Sequence, residues 1–161
     1  MEGDARLMES AFKQFLVKTK RPTYAALGDD ATVRALLAGS KQLEYRQGEF
    51  LYRDIYVGMS YFVGQEIVYR HDMPIWSMSY GGGLLPAVPT EQRKNIYAFL
   101  RQALRQVPSD RPCRGPNSFE QGEFSYRNDC SGMIERFHGV ERITAAAVPM
   151  YELRYAGGLL A

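Results

Sequence analysis

Gln47-Gly48-Glu49-Phe50-Leu51-Tyr52-Arg53-Asp54 returns downstream as Gln121-Gly122-Glu123-Phe124-Ser125-Tyr126-Arg127-Asn128. The match runs on through Gly58-Met59 and Gly132-Met133. After a one-residue insertion it continues with Phe62, Gly64 and Glu66 against Phe137, Gly139 and Glu141. Pro74, Trp76, Met78 and Tyr80 then face Pro149, Tyr151, Leu153 and Tyr155, and Gly82-Gly83-Leu84-Leu85 faces Gly157-Gly158-Leu159-Leu160. Self-similarity at a fixed offset is the mark of an internal repeat. It implies two units of one architecture within the chain.

Within each unit the hydrophobic period is two. Phe50, Tyr52 and Asp54 fall on one strand face, Phe62, Gly64, Glu66 and Val68 on the next, and Trp76, Met78 and Tyr80 on the third. Alternate residues of a strand point to the same side. Arg70-His71-Asp72-Met73-Pro74 has the composition of a hairpin turn, and Asp54 to Gly58 reads as another bend. A helical segment precedes each set of strands. The first carries Met8, Ala11, Phe12, Phe15 and Leu16 at helical spacing. The second follows Pro89, with Thr90 as N-cap, and carries Ile96, Phe99, Leu100, Ala103, Leu104 and Val107. A third, short helix is expected near Ala31 to Leu37. The expected fold is therefore α+β, a duplicated helix plus antiparallel meander with pseudo-two-fold symmetry. It forms a single domain over 1–161, with repeats of about 8–86 and 90–161. The meanders would join edge to edge or pack face to face, with a ligand site at their junction.

A length of 161 residues, with 45% hydrophobic and 24% charged residues, fits one soluble domain. The net charge of +2 argues against a nucleic-acid polyelectrolyte binder. The acidic start, Met1-Glu2-Gly3-Asp4, is not a secretory signal, and no apolar run suits a membrane helix. Cys113 and Cys130 read as free thiols of a reducing cytoplasm. With His71 and His138 the only imidazoles, no multi-histidine metal site and no cofactor is expected.

Glu66 and Glu141 are the first candidates for chemistry, since each shares a strand face with apolar neighbours. A carboxylate there is costly unless paired or protonated. Glu66 reads either as a catalytic acid/base or ligand anchor, or as a buried acid held by Tyr hydroxyls or by Arg53. Asp54 keeps its acid where the second half has Asn128, so any surviving site belongs to the first half, unless Asp54 only caps a turn. Tyr52, Phe62, Trp76 and Tyr80 read as pocket lining for a flat ligand or as core. Together Tyr52, Asp54, Phe62, Glu66, Trp76 and Tyr80 form the expected ligand-binding set. Lys94, Arg101 and Arg105 read as a solvated helix face or a phosphate stripe. Arg111 and Arg114 flank Cys113 and could lower its thiol pKa, while the lack of a nearby His and the Pro-Gly-rich loop around it speak against a catalytic role.

Phe15-Leu16, Lys18, Pro22-Thr23-Tyr24-Ala25, Gly39-Ser40, Tyr45, Gly48-Glu49-Phe50, Tyr52-Arg53-Asp54, Phe62-Val63-Gly64-Gln65-Glu66, Trp76-Ser77-Met78 and Tyr80-Gly81-Gly82 together resemble an uncharacterised bacterial domain family. Its members occur alone or behind Cro-type helix-turn-helix domains. The resemblance spans about Phe15 to Leu160 and implies a stand-alone member. It carries over no activity.

The expected function is a cytoplasmic small-molecule-binding or sensor-like domain, a monomer or homodimer without nucleic-acid or membrane partners. The alternatives are a small enzyme using buried Glu66 as general acid/base, with Tyr52 or Tyr80 orienting substrate, and a partner-binding structural module.

Overall fold

A computed structural model describes the backbone of residues 2–25 and 32–160 and the side chains of residues 9–20 and 32–160. Helix α1 (Glu2–Ala25) leads to strands β1 (Thr32–Val33), β2 (Lys41–Gln47), β3 (Phe50–Gly58), β4 (Tyr61–Arg70) and β5 (Met73–Leu84). Helix α2 (Arg93–Leu104) follows, then β6 (Ser118–Gln121), β7 (Phe124–Met133), β8 (Arg136–Ala145) and β9 (Val148–Leu159). All of these strands form one antiparallel sheet, in the order β1-β2-β3-β4-β5-β9-β8-β7-β6.

The two meanders meet edge to edge through β5 and β9. Tyr80 faces Tyr155 there, while Trp76 pairs with Leu159 and Leu84 with Tyr151. That register maps onto itself under a two-fold axis through the Tyr80–Tyr155 pair. The runs β2 to β5 and β6 to β9 have the same order and direction. Both long hairpins turn on two residues with positive φ, His71 and Asp72 in one and Ala146 and Ala147 in the other. This geometry matches the twist of the flanking strands, and it tolerates even alanine when the strands on both sides are long enough to hold it.

The expected α+β class with a duplicated helix is overturned. The molecule is mainly one nine-stranded antiparallel sheet among the described residues, with two helices of unequal length. Strand propagates through the segment read as a bend and on through a run of three glycines. Asp54 to Gly58 is not a bend but the second half of β3, and Gly81 to Gly83 lie inside β5. Each of these residues has a hydrogen-bonded neighbour strand, and a completed ladder outweighs the weak strand preference of glycine. Thr32–Val33 is strand, residues 34–35 are irregular and residues 36–39 are bends and turns, so the third helix is not present there; Ala31 and the side chain of Met8 lie outside the described residues. Thr90 opens a short 3-10 turn, and neither it nor Pro89 makes a side-chain cap bond.

Both helices pack on the same sheet face. Phe12 and Phe15 of α1 meet Phe50, with the Phe15 ring stacked at 5.1 Å, and Phe12 also meets Trp76. Phe99 of α2 stacks on Phe124 at 5.2 Å and touches Phe119. Trp76 is wholly buried, stacks on Phe137 at 5.8 Å, and donates its indole N–H to the carbonyl of Ile134 at 3.2 Å. The core therefore lies between helices and sheet and runs across the β5–β9 seam, so neither meander has a separate core.

Candidate functional site

The ladder sets the site. Asp54, Glu66 and Met78 face one another across β3, β4 and β5, and Tyr56, Gly64 and Tyr80 form the next row. Gly64 leaves the gap that Tyr80 needs, since a Cβ there would collide with the Tyr80 ring and hydroxyl. Tyr80 crosses that gap and donates to Asp54 Oδ1 at 2.6 Å. The second half repeats the device with Tyr155 crossing Gly139 to donate to Asn128 Oδ1 at 2.7 Å.

Beneath this pair lies a buried ionic cluster. Glu66 and Lys20 are fully buried and meet at 3.0 Å. Lys20 also donates to the Cys113 carbonyl and stands over the Trp76 ring, 5.2 Å from its centroid. Arg114, on the segment after α2, grips Glu141 with two bonds of 3.0 and 3.2 Å. Tyr126 and Tyr151 donate to the same carboxylate at 2.8 and 2.6 Å. The Arg114 guanidinium lies 4.0 Å from Glu66 and over the Tyr80 ring. Two cations thus balance two anions, and Asp54 is the remaining acid. Burial, with the Glu66 charge adding to it, pushes the Asp54 carboxyl up to about 7 against the pull of Tyr80, Arg114 and Lys20.

Above Asp54 opens a cleft of about 540 Å³. Its floor is Asp54, Tyr80 and Arg114. Tyr56, Phe62, Tyr97, Leu100 and Leu104 form walls, and Lys41, Arg93 and Arg101 join them. Helix α2 supplies one wall because Arg93, Tyr97, Leu100, Arg101 and Leu104 recur at helical spacing. Tyr97 is anchored through the Ser60 carbonyl at 2.8 Å, and Arg93 reaches the Ser60 hydroxyl at 3.3 Å.

Of the residues singled out from sequence, the structure brings Asp54, Phe62 and Tyr80 to this cleft. Glu66 lies behind it in the ionic cluster, held by Lys20 and not by Arg53, whose partner is Glu44. Tyr52 and Trp76 are fully buried and do not line it. Lys41, Arg93, Tyr97 and Arg114 went unnoticed as site residues. The spacing of Arg93, Tyr97 and Arg101 along one helix stripe was the available signal. Arg101 leaves the group read as a solvated face, while Lys94 and Arg105 stay exposed. Among the described residues no three His, Cys, Asp or Glu side chains are grouped to hold a metal, and no helix is long and apolar enough to cross a membrane.

The two cysteines are free, Cys113 buried and Cys130 half-buried, and the interaction between their thiols shifts both. The expected lowering of the Cys113 thiol by Arg111 and Arg114 is overturned. Cys113 is buried and its thiol is pushed up because its S–H serves the partner, whereas that bond lowers Cys130 to about 6. Iodoacetamide is therefore expected to label Cys130 with a half-maximal rate near pH 6, and Cys113→Ala should move that midpoint up toward the free-thiol value of about 8.5. Peptide mass spectrometry reads both. Labelling of Cys130 that begins only above pH 8 in the parent protein would contradict the assignment.

The fold and site define a class: a continuous antiparallel sheet, helices on one face, and a cleft set over a buried charge cluster. Residues 54–160 match the DUF5680 domain of unknown function, and the chain belongs to that family. No curated protein and no solved structure matches it.

Proposed function

We propose that this chain is a cytoplasmic small-molecule-binding, sensor-like domain whose ligand occupies the cleft above Asp54 and Tyr80. The observation that carries the reading is the cleft itself: about 540 Å³, walled mainly by aromatic and aliphatic side chains, with one ionisable acid at its floor. Concave, largely apolar sites with a few placed polar groups are the usual form of ligand pockets. The expected family context, bacterial domains alone or behind Cro-type helix-turn-helix modules, agrees with a sensing role by analogy. The matched landmarks of the two halves are read as an internal repeat in which the first half keeps an acid, Asp54, where the second has Asn128. An enzyme reading draws on Asp54, an acid near neutral pKa in the cleft, more than on Glu66.

A small-molecule library screened by thermal shift, with hits mapped by NMR, tests the proposal. Binders should raise the melting temperature and perturb Tyr56, Phe62 and Tyr97 first. A library without binders, or binders that map to the opposite sheet face, would remove the cleft from consideration.

A further inference from the structure

We propose that the cleft selects a small organic anion with an apolar body, the negative group seated among Lys41, Arg93 and Arg101 and the body against Phe62, Tyr97 and Leu100. This inference rests on the cleft being a ligand site.

The argument is one of charge balance. The interior cluster is neutral by itself, with Lys20 on Glu66 and Arg114 on Glu141. Outside it the cleft is lined by three further cations and one acid. Among the described residues, none of Lys41, Arg93 and Arg101 makes a salt bridge. Arg93 has the neutral Ser60 hydroxyl, and Lys41 lies over the Tyr56 ring at 6.0 Å from its centroid. Burial and the neighbouring charge of Arg105 both lower the Arg101 pKa, so the protein itself opposes that cation. A bound anion would relieve this opposition and would gain charge-assisted hydrogen bonds from guanidinium groups suited to carboxylate.

The cations also lie farther out than the acid. Lys41 is exposed and Arg93 and Arg101 are half-buried, whereas Asp54, Tyr80 and Arg114 are buried. A ligand therefore meets the exposed Lys41 first, with the buried apolar side chains of Leu100 and Leu104 deeper in. That order favours an amphipathic anion over a bare inorganic ion, which would leave the aromatic walls unused, and over a cation, which would meet three like charges.

The test uses one body with three charges: phenylbutyrate, phenylbutyramide and phenylbutylamine, with inorganic phosphate as a fourth probe. Isothermal titration at low and moderate salt should show phenylbutyrate binding about tenfold tighter than the amide, equivalent to ~1.4 kcal/mol, and tighter than the amine and phosphate. That margin should shrink as salt rises. Arg93→Gln and Arg101→Gln should each shrink the margin, weakening phenylbutyrate more than the amide. Equal binding of all three organic probes, preference for the amine, or phosphate binding as tightly as phenylbutyrate would overturn the anion inference and leave the ligand site standing. Absence of binding by every probe, with no hit in the library screen, would overturn both. The salt and charge comparisons use the parent protein, so they decide the question even if a variant fails to fold.

Discussion

Asp54→Asn is expected to stabilise the protein above pH 7 by about 2–4 kcal/mol. Asp54 is buried, and its folded pKa is raised from 3.8 to about 7. Below about pH 4 both folded and unfolded chains hold the proton, so the group costs nothing. Between about pH 4 and 7 the unfolded chain releases the proton while the folded chain keeps it, so stability falls as pH rises. Above 7 the full penalty is present and constant. Asparagine carries no such penalty, and the second half shows that it fits: Asn128 accepts from Tyr155 and donates to the Gly115 carbonyl at 3.1 Å. Urea denaturation of both proteins from pH 4 to 8 should give curves that converge at the acid end and separate through the neutral range. Other carboxylates titrate in this window, so the difference between the two proteins isolates Asp54. A variant less stable than the parent at pH 8 would show that the Asp54 charge is compensated in the fold. The substitution also removes negative charge from the cleft floor, so phenylbutyrate should bind the variant more tightly at pH 8 and about equally at pH 5. The other charged and titratable groups facing that floor are Tyr80, Tyr56, Glu66, Arg114 and Lys20.

A residue retained at a cost to stability is easier to explain by function than by packing. The sequence contrast between Asp54 and Asn128 was visible without a structure, and it pointed to the acid that lies at the cleft floor. So did the period-two grouping. Tyr52, Asp54, Glu66, Met78, Tyr80 and Trp76 occupy the face that the alternation assigned to them, because a two-residue period leaves no freedom once one side is buried. Other features were hidden for physical reasons. Lys20 and Arg114 come from a helix and a loop, and nothing local in their sequence says that they end beneath the sheet residues Glu66 and Glu141. Their placement depends on how helices seat over strands distant in sequence. The extent of the sheet was hidden as well. Gly81-Gly82-Gly83 follows the period-two run of Trp76 to Tyr80, yet it continues the same strand and is paired on both sides, with Val63 and Arg154 facing Gly81. The missing side chain of Gly64 admits the Tyr80 hydroxyl, which goes to Asp54 and not to Glu66.

Glu66→Gln and Glu141→Gln are both expected to destabilise the fold strongly, by about 3–5 kcal/mol, the usual cost of stranding one partner of a buried ion pair. Glu141 should lie at the upper end. Its two oxygens accept from Arg114, Tyr126 and Tyr151, and an amide would turn one acceptor into a donor facing donors. Glu66→Gln leaves the Lys20 ammonium in a fully buried position with the Cys113 carbonyl and the Trp76 face. Adding Lys20→Met to Glu66→Leu should recover most of that loss, since an apolar pair of similar volume replaces both charges. Because Glu66 does not line the cleft, folded Glu66→Gln should bind phenylbutyrate as the parent does, with a lower denaturation midpoint as the only change. If Glu66→Gln kept its stability and lost binding, the carboxylate would belong to the ligand and the cleft above Asp54 would not be the site. Equal losses of stability in both Gln variants with binding intact would place both glutamates among the groups that hold helices and sheet together. That is the role their complete burial and their balance against Lys20 and Arg114 assign them.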